Sequence, residues 1–223
     1  MKPPIVIAID GASSTGKSTL AKGLAKALDI AHVDSGAMYR GVTLYAQQQH
    51  WITETSFNTQ ALIDNLDDVQ LMFKGARLLL NGNDISDAIR TMAVSKAVSR
   101  VAAVSEVRAF LVSQQRTIAA YQSVVMDGRD IGTVVFPNAD LKLFLTADPN
   151  IRAKRRYEEL VSIDATVTFE QILENITQRD HLDSTRADSP LVQAHDAVSI
   201  VASDYDITAL QDYVMTLVQA RIA

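Results

Sequence analysis

Gly11-Ala12-Ser13-Ser14-Thr15-Gly16-Lys17-Ser18 satisfies the spacing G-x-x-x-x-G-K-[ST]. A glycine-rich turn lets successive backbone N–H groups point inward at phosphate oxygens, and the positive end of a following helix adds to the attraction. Lys17 at that position reaches the β- and γ-phosphates, and the Ser18 hydroxyl is placed to ligate Mg²⁺. Together with Thr19, residues 11–19 are the candidate ATP site, and Ser18 is the candidate metal ligand. The motif is specific for a nucleoside triphosphate and silent on its use. Three uses are open: phosphotransfer to a small molecule, a GTP switch, or a motor-type ATPase. No Asn-Lys-x-Asp guanine-reading segment occurs, which removes support for the switch. Asp127, closing an apolar run, imitates the strand-end carboxylate of a motor ATPase, so that class is disfavoured rather than excluded.

The arginines carry the second signal. Arg40 and Arg129 each follow a candidate strand, Arg152, Arg155 and Arg156 cluster early in a candidate helix, and Arg179, Asp183 and Arg186 recur at i, i+4 and i+7. Guanidinium groups bind phosphate bidentately and stay charged at any working pH, so several near one phosphate loop imply more phosphate than the loop itself holds. A phosphorylated acceptor is the reading. Such an acceptor needs no dedicated base, because a phosphomonoester has a second pKa near ~6 and arrives largely ionised. His32, His50, His181 and His195 form no triad or ligand spacing and read as structural or exposed.

These residues must be held by a framework. Ile5 to Ile9 is an unbroken, largely β-branched run, the pattern of a strand buried on both faces at the centre of a parallel sheet. Leu20, Leu24 and Leu28 predict a helix over 18–29, and Ala31 to Val33 a second parallel strand, with Asp34-Ser35-Gly36 releasing a helix near Ala37. Between 63 and 119 the texture changes. Alternation around Val69 to Lys74, the turn residues Gly75-Ala76 and Asn81-Gly82, and a valine stripe from Val94 through Ile118 predict antiparallel strands followed by one long amphipathic helix. Ser123 to Met126 and Leu141 to Leu145 are further buried strands with polar residues at their carboxyl ends, where open parallel sheets bind ligands. Asp148-Pro149 reads as a helix start, Thr168 with Gln171 as a capping box, and 161–167 as the segment between the two helices. Ser199 to Val201 is the last candidate strand and Thr208 to Arg221 the closing helix.

The composition is that of a water-soluble globule. The 223 residues are 48% hydrophobic and 21% charged with a net charge of −5, enough chain to bury roughly 70 to 75% of its unfolded surface. Cysteine is absent, which excludes a disulfide framework, a thiolate metal site and a cysteine nucleophile. The acidic balance argues against nucleic-acid or membrane-surface partners. No apolar stretch is long enough to span a bilayer, and the run after Lys2 is too short for a signal-peptide core. A cytoplasmic monomer is the expectation.

The chain closely resembles bacterial cytidylate kinases in Ile9-Asp10-Gly11 with the phosphate loop, 34–40, Ile89-Arg90-Thr91, 127–137, and Arg179-Asp180 through Asp183 to Arg186. The resemblance implies an α/β phosphate-loop NTPase fold of three layers about a parallel sheet, with core segments 1–62 and 120–223. It also implies an inserted α+β monophosphate-binding subdomain at 63–119 and a helical lid at about 152–168. The implied reaction moves the γ-phosphoryl of ATP, with Mg²⁺, to CMP or dCMP. By the same resemblance Lys17, Arg129 and Arg186 are catalytic, and Arg152 and Arg156 join residues 11–19 on ATP. CMP would meet Ser35, Arg40, Ser99, Arg108, Arg129, Asp130, Arg179, Asp183 and Arg186. Within that set Arg40, Arg129 and Arg186 hold the phosphate, Ser99, Arg108 and Asp130 read cytosine, and Arg179 with Asp183 reaches the sugar. Ala12 in place of a usual proline, Asn138 in place of an acid and Ser189 in place of an alanine depart from the family pattern without removing a functional side chain. A phosphate-loop kinase for another acceptor and a non-catalytic ATP sensor are the alternatives.

Overall fold

The computed structural model describes residues 3–161 and 165–222. Residues 162–164, inside both the segment expected between two helices and the expected lid, fall outside it. In chain order the elements are β1 (Val6–Gly11), α1 (Lys17–Leu28), β2 (Ala31–Asp34), α2 (Ser35–Gln48), α3 (Thr59–Asp64), β3 (Leu71–Lys74), β4 (Arg77–Leu80), β5 (Asn83–Asp84), α4 (Met92–Ala102), α5 (Ser105–Tyr121), β6 (Val124–Gly128), β7 (Leu141–Thr146), α6 (Pro149–Val161), α7 (Phe169–Thr185), β8 (Val198–Val201) and α8 (Ile207–Ile222). The chain divides into two compact units, one of residues 1–32 with 119–223 and one of residues 33–118.

The first unit is an α/β body on a sheet of order β2-β6-β1-β7-β8. As its unbroken apolar run requires, β1 is central, parallel to β6 on one side and to β7 on the other. Leu20, Ala21, Leu24 and Ala25 of α1 and Leu210, Val214 and Val218 of α8 close over Ile7, Ile9, Leu141 and Leu143 as one core. The four-residue spacing that put Leu20 and Leu24 on one face is thus spent on this layer; truncating Leu24 to alanine would cost about 2 to 5 kcal/mol. Helix α1 ends at Asp29, whose left-handed backbone (φ 53°) lets its N–H donate to Ala25 O. Register sets Asp10 beside Gly128 and Gly11 beside Leu145, so the carboxyl ends of β1, β6 and β7 open side by side. Ligands of open parallel sheets bind at such an edge.

Further along, α6 starts after Asp148, whose Oδ1 accepts from the Asn150 N–H at 2.8 Å. The start of α7 carries the capping box of Thr168 and Gln171, and Tyr157 of α6 meets Phe169 of α7 edge to face with centroids 6.4 Å apart.

In the second unit α2 begins two residues earlier than the helix expected near Ala37, because the Asp34 carboxylate accepts from the Ala37 N–H at 2.8 Å and caps it. β3, β4 and β5 form an antiparallel sheet. Asn81 and Gly82, both with positive φ, make the tight turn between β4 and β5. The long helix expected from the valine stripe is instead two helices, α4 and α5. The chain breaks at Ala103-Val104, where the Val104 N–H turns to Val101 O. Val101, Val104 and Val107 continue the apolar spacing across the break, so periodicity alone could not reveal it. The break frees the Ala102 carbonyl, and Arg108 Nη1 donates to it at 3.2 Å.

Candidate active site

The phosphate loop takes its shape from backbone conformations that few residues adopt. Gly11 (φ 154°) and Gly16 (φ 94°) flank Ser14, itself at φ 59°. At Gly11 a side chain is impossible as well as strained, since a Cβ there would lie 2.3 Å from Leu145 O of the neighbouring strand. The residue at the start of α1 is Gly16, which has no side chain to cap the helix. Lys17 Nζ donates to Ala12 O at 3.1 Å, and Thr15 Oγ1 donates to the same carbonyl.

Behind the loop, Ser18 Oγ donates to Asp127 Oδ2 at 2.6 Å, and His32 Nε2 lies 2.8 Å from Asp127 Oδ1. Asp127 is 1% exposed. Burial pushes its carboxyl up, but the hydrogen bond from His32 and the charge of Lys17 outweigh that and hold it below the usual carboxylate range. A serine hydroxyl next to an ionised carboxylate is a pair of hard oxygen donors, which suits Mg²⁺ shared with nucleotide phosphates. The described residues hold no cluster of three or more metal-ligating side chains, and a phosphate-bridged Mg²⁺ needs none.

A second cluster in the same unit is built from charged side chains. Arg129, one residue past β6, donates Nε to Asp183 Oδ2 at 2.9 Å. Arg186 sets Nη1 3.9 Å from Asp183 Oδ1 and Nη2 3.9 Å from Asp130 Oδ1. Against the burial that disfavours charge, Asp183 keeps Arg129 protonated above the ordinary arginine range. In the same way Arg129, with Arg179 and Arg186, holds the Asp183 carboxyl below its ordinary value. Arg186 lies just beyond α7, with extended backbone (φ −60°, ψ 144°) rather than on the helix that the i, i+4, i+7 spacing requires for all three residues. Arg179 also extends toward the phosphate loop: its Nη1 is 3.4 Å from Ser13 Oγ.

The three arginines of α6 differ. Arg152 is buried and spent on protein acceptors: Nε on Ala147 O, Nη1 on Ser13 O and Asp180 Oδ1, and Nη2 on Asp180 Oδ2. Arg155 Nη1 lies 3.4 Å from Thr15 O of the phosphate loop. Arg156 pairs with Glu159 at 3.0 Å.

In the second unit Ser35 opens α2 and is buried. Arg40 Nη2 lies 3.4 Å from Asp34 Oδ2. Ser99 is buried on α4, and Arg108, 3% exposed, lies over the Tyr39 ring at 5.5 Å.

Sequence reasoning did not place Asp127 in the site set, nor the carboxylates Asp34 and Asp180 that grip Arg40 and Arg152. A carboxylate ending the apolar run Val124-Val125-Met126 was the available signal for Asp127. His32, read as structural, is the group that braces it.

A glycine-shaped turn between a buried parallel strand and a helix, with a lysine and a braced hydroxyl behind it, defines a phosphate-loop nucleotide-binding α/β protein. The family model described as cytidylate kinase matches residues 7–220, and the chain belongs to that family. A protein of Flavobacterium johnsoniae named cytidylate kinase is 52% identical over 202 residues, covering 88% of each chain. One so named from Phocaeicola vulgatus is 46% identical over 224 residues, covering 98% of each. Among solved structures, an uncharacterized protein from Eubacterium ventriosum shares the fold with a TM-score of 0.53 at 14% identity, over 97% of this chain and 99% of that one.

Proposed function

We propose that the chain transfers the γ-phosphoryl group of ATP to CMP or dCMP, giving the diphosphate and ADP. The observation that carries this is the presence of two anion-binding arrangements in one unit, the phosphate loop and the Arg129–Asp183–Arg186 cluster. One serves the donor and the other the phosphate of the acceptor. Family membership names the acceptor's base.

Residues 11–19 bind the donor, with Lys17 released from Ala12 O onto the β- and γ-phosphates. Ser18 and Asp127 would hold Mg²⁺. When bound with ATP, that ion neutralises charge on the β- and γ-phosphates. Arg129 and Arg186, together with Arg40, bind the phosphate of CMP, and Asp183 with Arg179 serves the sugar. Asp130 accepts from the exocyclic amine of cytosine, with Ser99 and Arg108 beside the base and Ser35 in the same set. Uracil offers an oxygen where cytosine offers that amine, so a carboxylate there repels it. Arg152 braces Ser13, while Arg155 and Arg156 supply the remaining positive charge to ATP from the lid. The lid (152–168) is the part expected to close over ATP, which excludes water and favours transfer over hydrolysis, and 63–119 is the inserted monophosphate-binding subdomain. The acceptor phosphate arrives ionised, so the protein's task is to align it in line and to spread the transferring charge over Lys17, Arg129 and Arg186.

An ADP-release assay with CMP, dCMP, UMP, AMP and shikimate as acceptors tests this. Turnover with the cytidine nucleotides well above the others is expected. A different preferred acceptor, or ATP binding with no acceptor-dependent ADP release, would replace the reading. No described helix is long and apolar enough to cross a membrane, and we propose a monomer.

A further inference from the structure

Asp10 is the one charged residue of β1, and at 4% exposure it is buried. Its Oδ1 accepts from the Ile131 N–H at 2.8 Å and its Oδ2 from the Gly132 N–H at 2.7 Å. Those two amides open a short helical turn, Ile131–Val135, that follows directly on Arg129 and Asp130. Later amides of the turn are satisfied within it: Val134 and Val135 donate to Asp130 O, and Phe136 donates to Ile131 O. The Asp130 side chain makes no cap bond to the turn, so its first two N–H groups end on a carboxylate from another strand. Gly132 completes the fit, because a Cβ there would lie 3.3 Å from Asp10 Oδ2 and 3.1 Å from the Lys142 Cδ. Burial pushes the Asp10 carboxyl up to about 6, against the pull of the Gly132 and Ile131 amides. At neutral pH both oxygens therefore still accept.

The position of this carboxylate along the chain matters more than its charge. Gly11, the next residue, opens the phosphate loop, while Asp130 immediately precedes the amide of Ile131. A single side chain thus joins the first residue of the donor loop to the segment that carries Arg129 and Asp130.

We infer that Asp10 is a positioning residue for acceptor binding: its two oxygens hold the Arg129-Asp130 segment, adjoining the amides they accept from, in the place from which it grips the acceptor. The inference rests on the CMP reading above. A carboxylate does this where an amide cannot, because asparagine keeps the shape but turns a donor toward one of the two N–H groups.

The test is steady-state kinetics of the full chain carrying Asp10→Asn or, separately, Gly132→Ala, with CMP and ATP each varied at saturation of the other. Thermal melts run alongside. For Asp10→Asn, KM for CMP should rise about tenfold or more, the loss of one charge-assisted hydrogen bond, and the preference for CMP over UMP should fall. KM for ATP should stay within about twofold of wild type. A fall in kcat with both KM values unchanged is what a merely structural carboxylate gives, and it would overturn the inference. An equal rise in both KM values would do the same. Should Asp10→Asn fail to fold, Gly132→Ala decides: it keeps the carboxylate, displaces the amide, and should show the same split, whereas an unchanged KM for CMP overturns the proposal. Wild-type enzyme that turns over no CMP would overturn the parent reading and this one together, so the two failures are told apart by the wild-type control.

Discussion

The phosphate loop and the Arg129–Asp183–Arg186 cluster both prepare for an anion, by opposite means. The loop is made of main chain. Its donors are backbone amides shaped by Gly11, Ser14 and Gly16, and Lys17 rests on a neutral carbonyl. The cluster is made of ionised side chains in a buried setting, where a charge persists only with a counter-charge at hand. An anion entering the loop meets backbone donors and Lys17, whose Nζ rests on Ala12 O while its charge also acts on Asp127. An anion approaching Arg129 must share it with Asp183. The loop is therefore sensitive to backbone freedom and the cluster to charge balance.

Breaking the cluster should have the largest effect. Arg129→Ala leaves Asp183 buried without its main partner, and chemical denaturation should show a loss of about 3 to 5 kcal/mol. A loss below about 1 kcal/mol would mean that the pair is solvated like a surface ion pair. Lys17→Ala, in the loop, should leave the fold intact and lower kcat by roughly 10²- to 10³-fold in the ADP-release assay; near-normal turnover would remove Lys17 from the mechanism.

Acidity separates the two regions next. Asp127 behind the loop and Asp183 in the cluster are held below their ordinary values. Both contribute stability that is present at neutral pH and lost as pH falls through their folded-state values. Asp10 has the opposite sign: raised from 3.8 to about 6, it binds a proton more tightly folded than unfolded, so its contribution declines as pH rises from about 4 to 6. The stability difference between wild type and Asp10→Asn should therefore shift by about 3 kcal/mol against wild type over that window, in denaturation curves taken between pH 4 and 7. A flat difference would show that Asp10 titrates like an exposed carboxylate.

Two smaller effects sharpen the comparison. Asp130→Ala should weaken cytosine nucleotides selectively by roughly 1.5 to 3 kcal/mol in kcat/KM; an unchanged CMP to UMP preference would refute base reading at that residue. Arg155→Ala should raise KM for ATP about fivefold, the worth of one modest hydrogen bond. Arg156→Ala, already paired with Glu159, should raise it less. The reverse order would exchange their roles.

Much of the framework around the site could be read directly because its signals are local. The loop motif, the strand before it, the Asn81-Gly82 turn and the Thr168–Gln171 capping box each depend on residues within a few positions, and the structure has each of them. The break between α4 and α5 was hidden, since Val101, Val104 and Val107 continue one apolar stripe across it. So was the division among the arginines of α6, because a list of cations does not show where carboxylates will lie. Arg152, expected on ATP, is held bidentately by Asp180, 28 residues on.

What the sequence determined by itself was the chemistry on offer: a turn that only glycines can close, a lysine and a hydroxyl at fixed offsets, a sheet strand apolar on both faces, and an excess of arginine near strand ends. Tertiary structure alone decided which charges neutralise one another. Asp10 meets amides 121 and 122 residues away, Asp127 meets His32 across 95, and Arg129 meets Asp183 across 54. A charge's effect falls with distance in space and not along the chain, so these pairings, and the protonation states that follow from them, existed only once the sheet had brought its strands together.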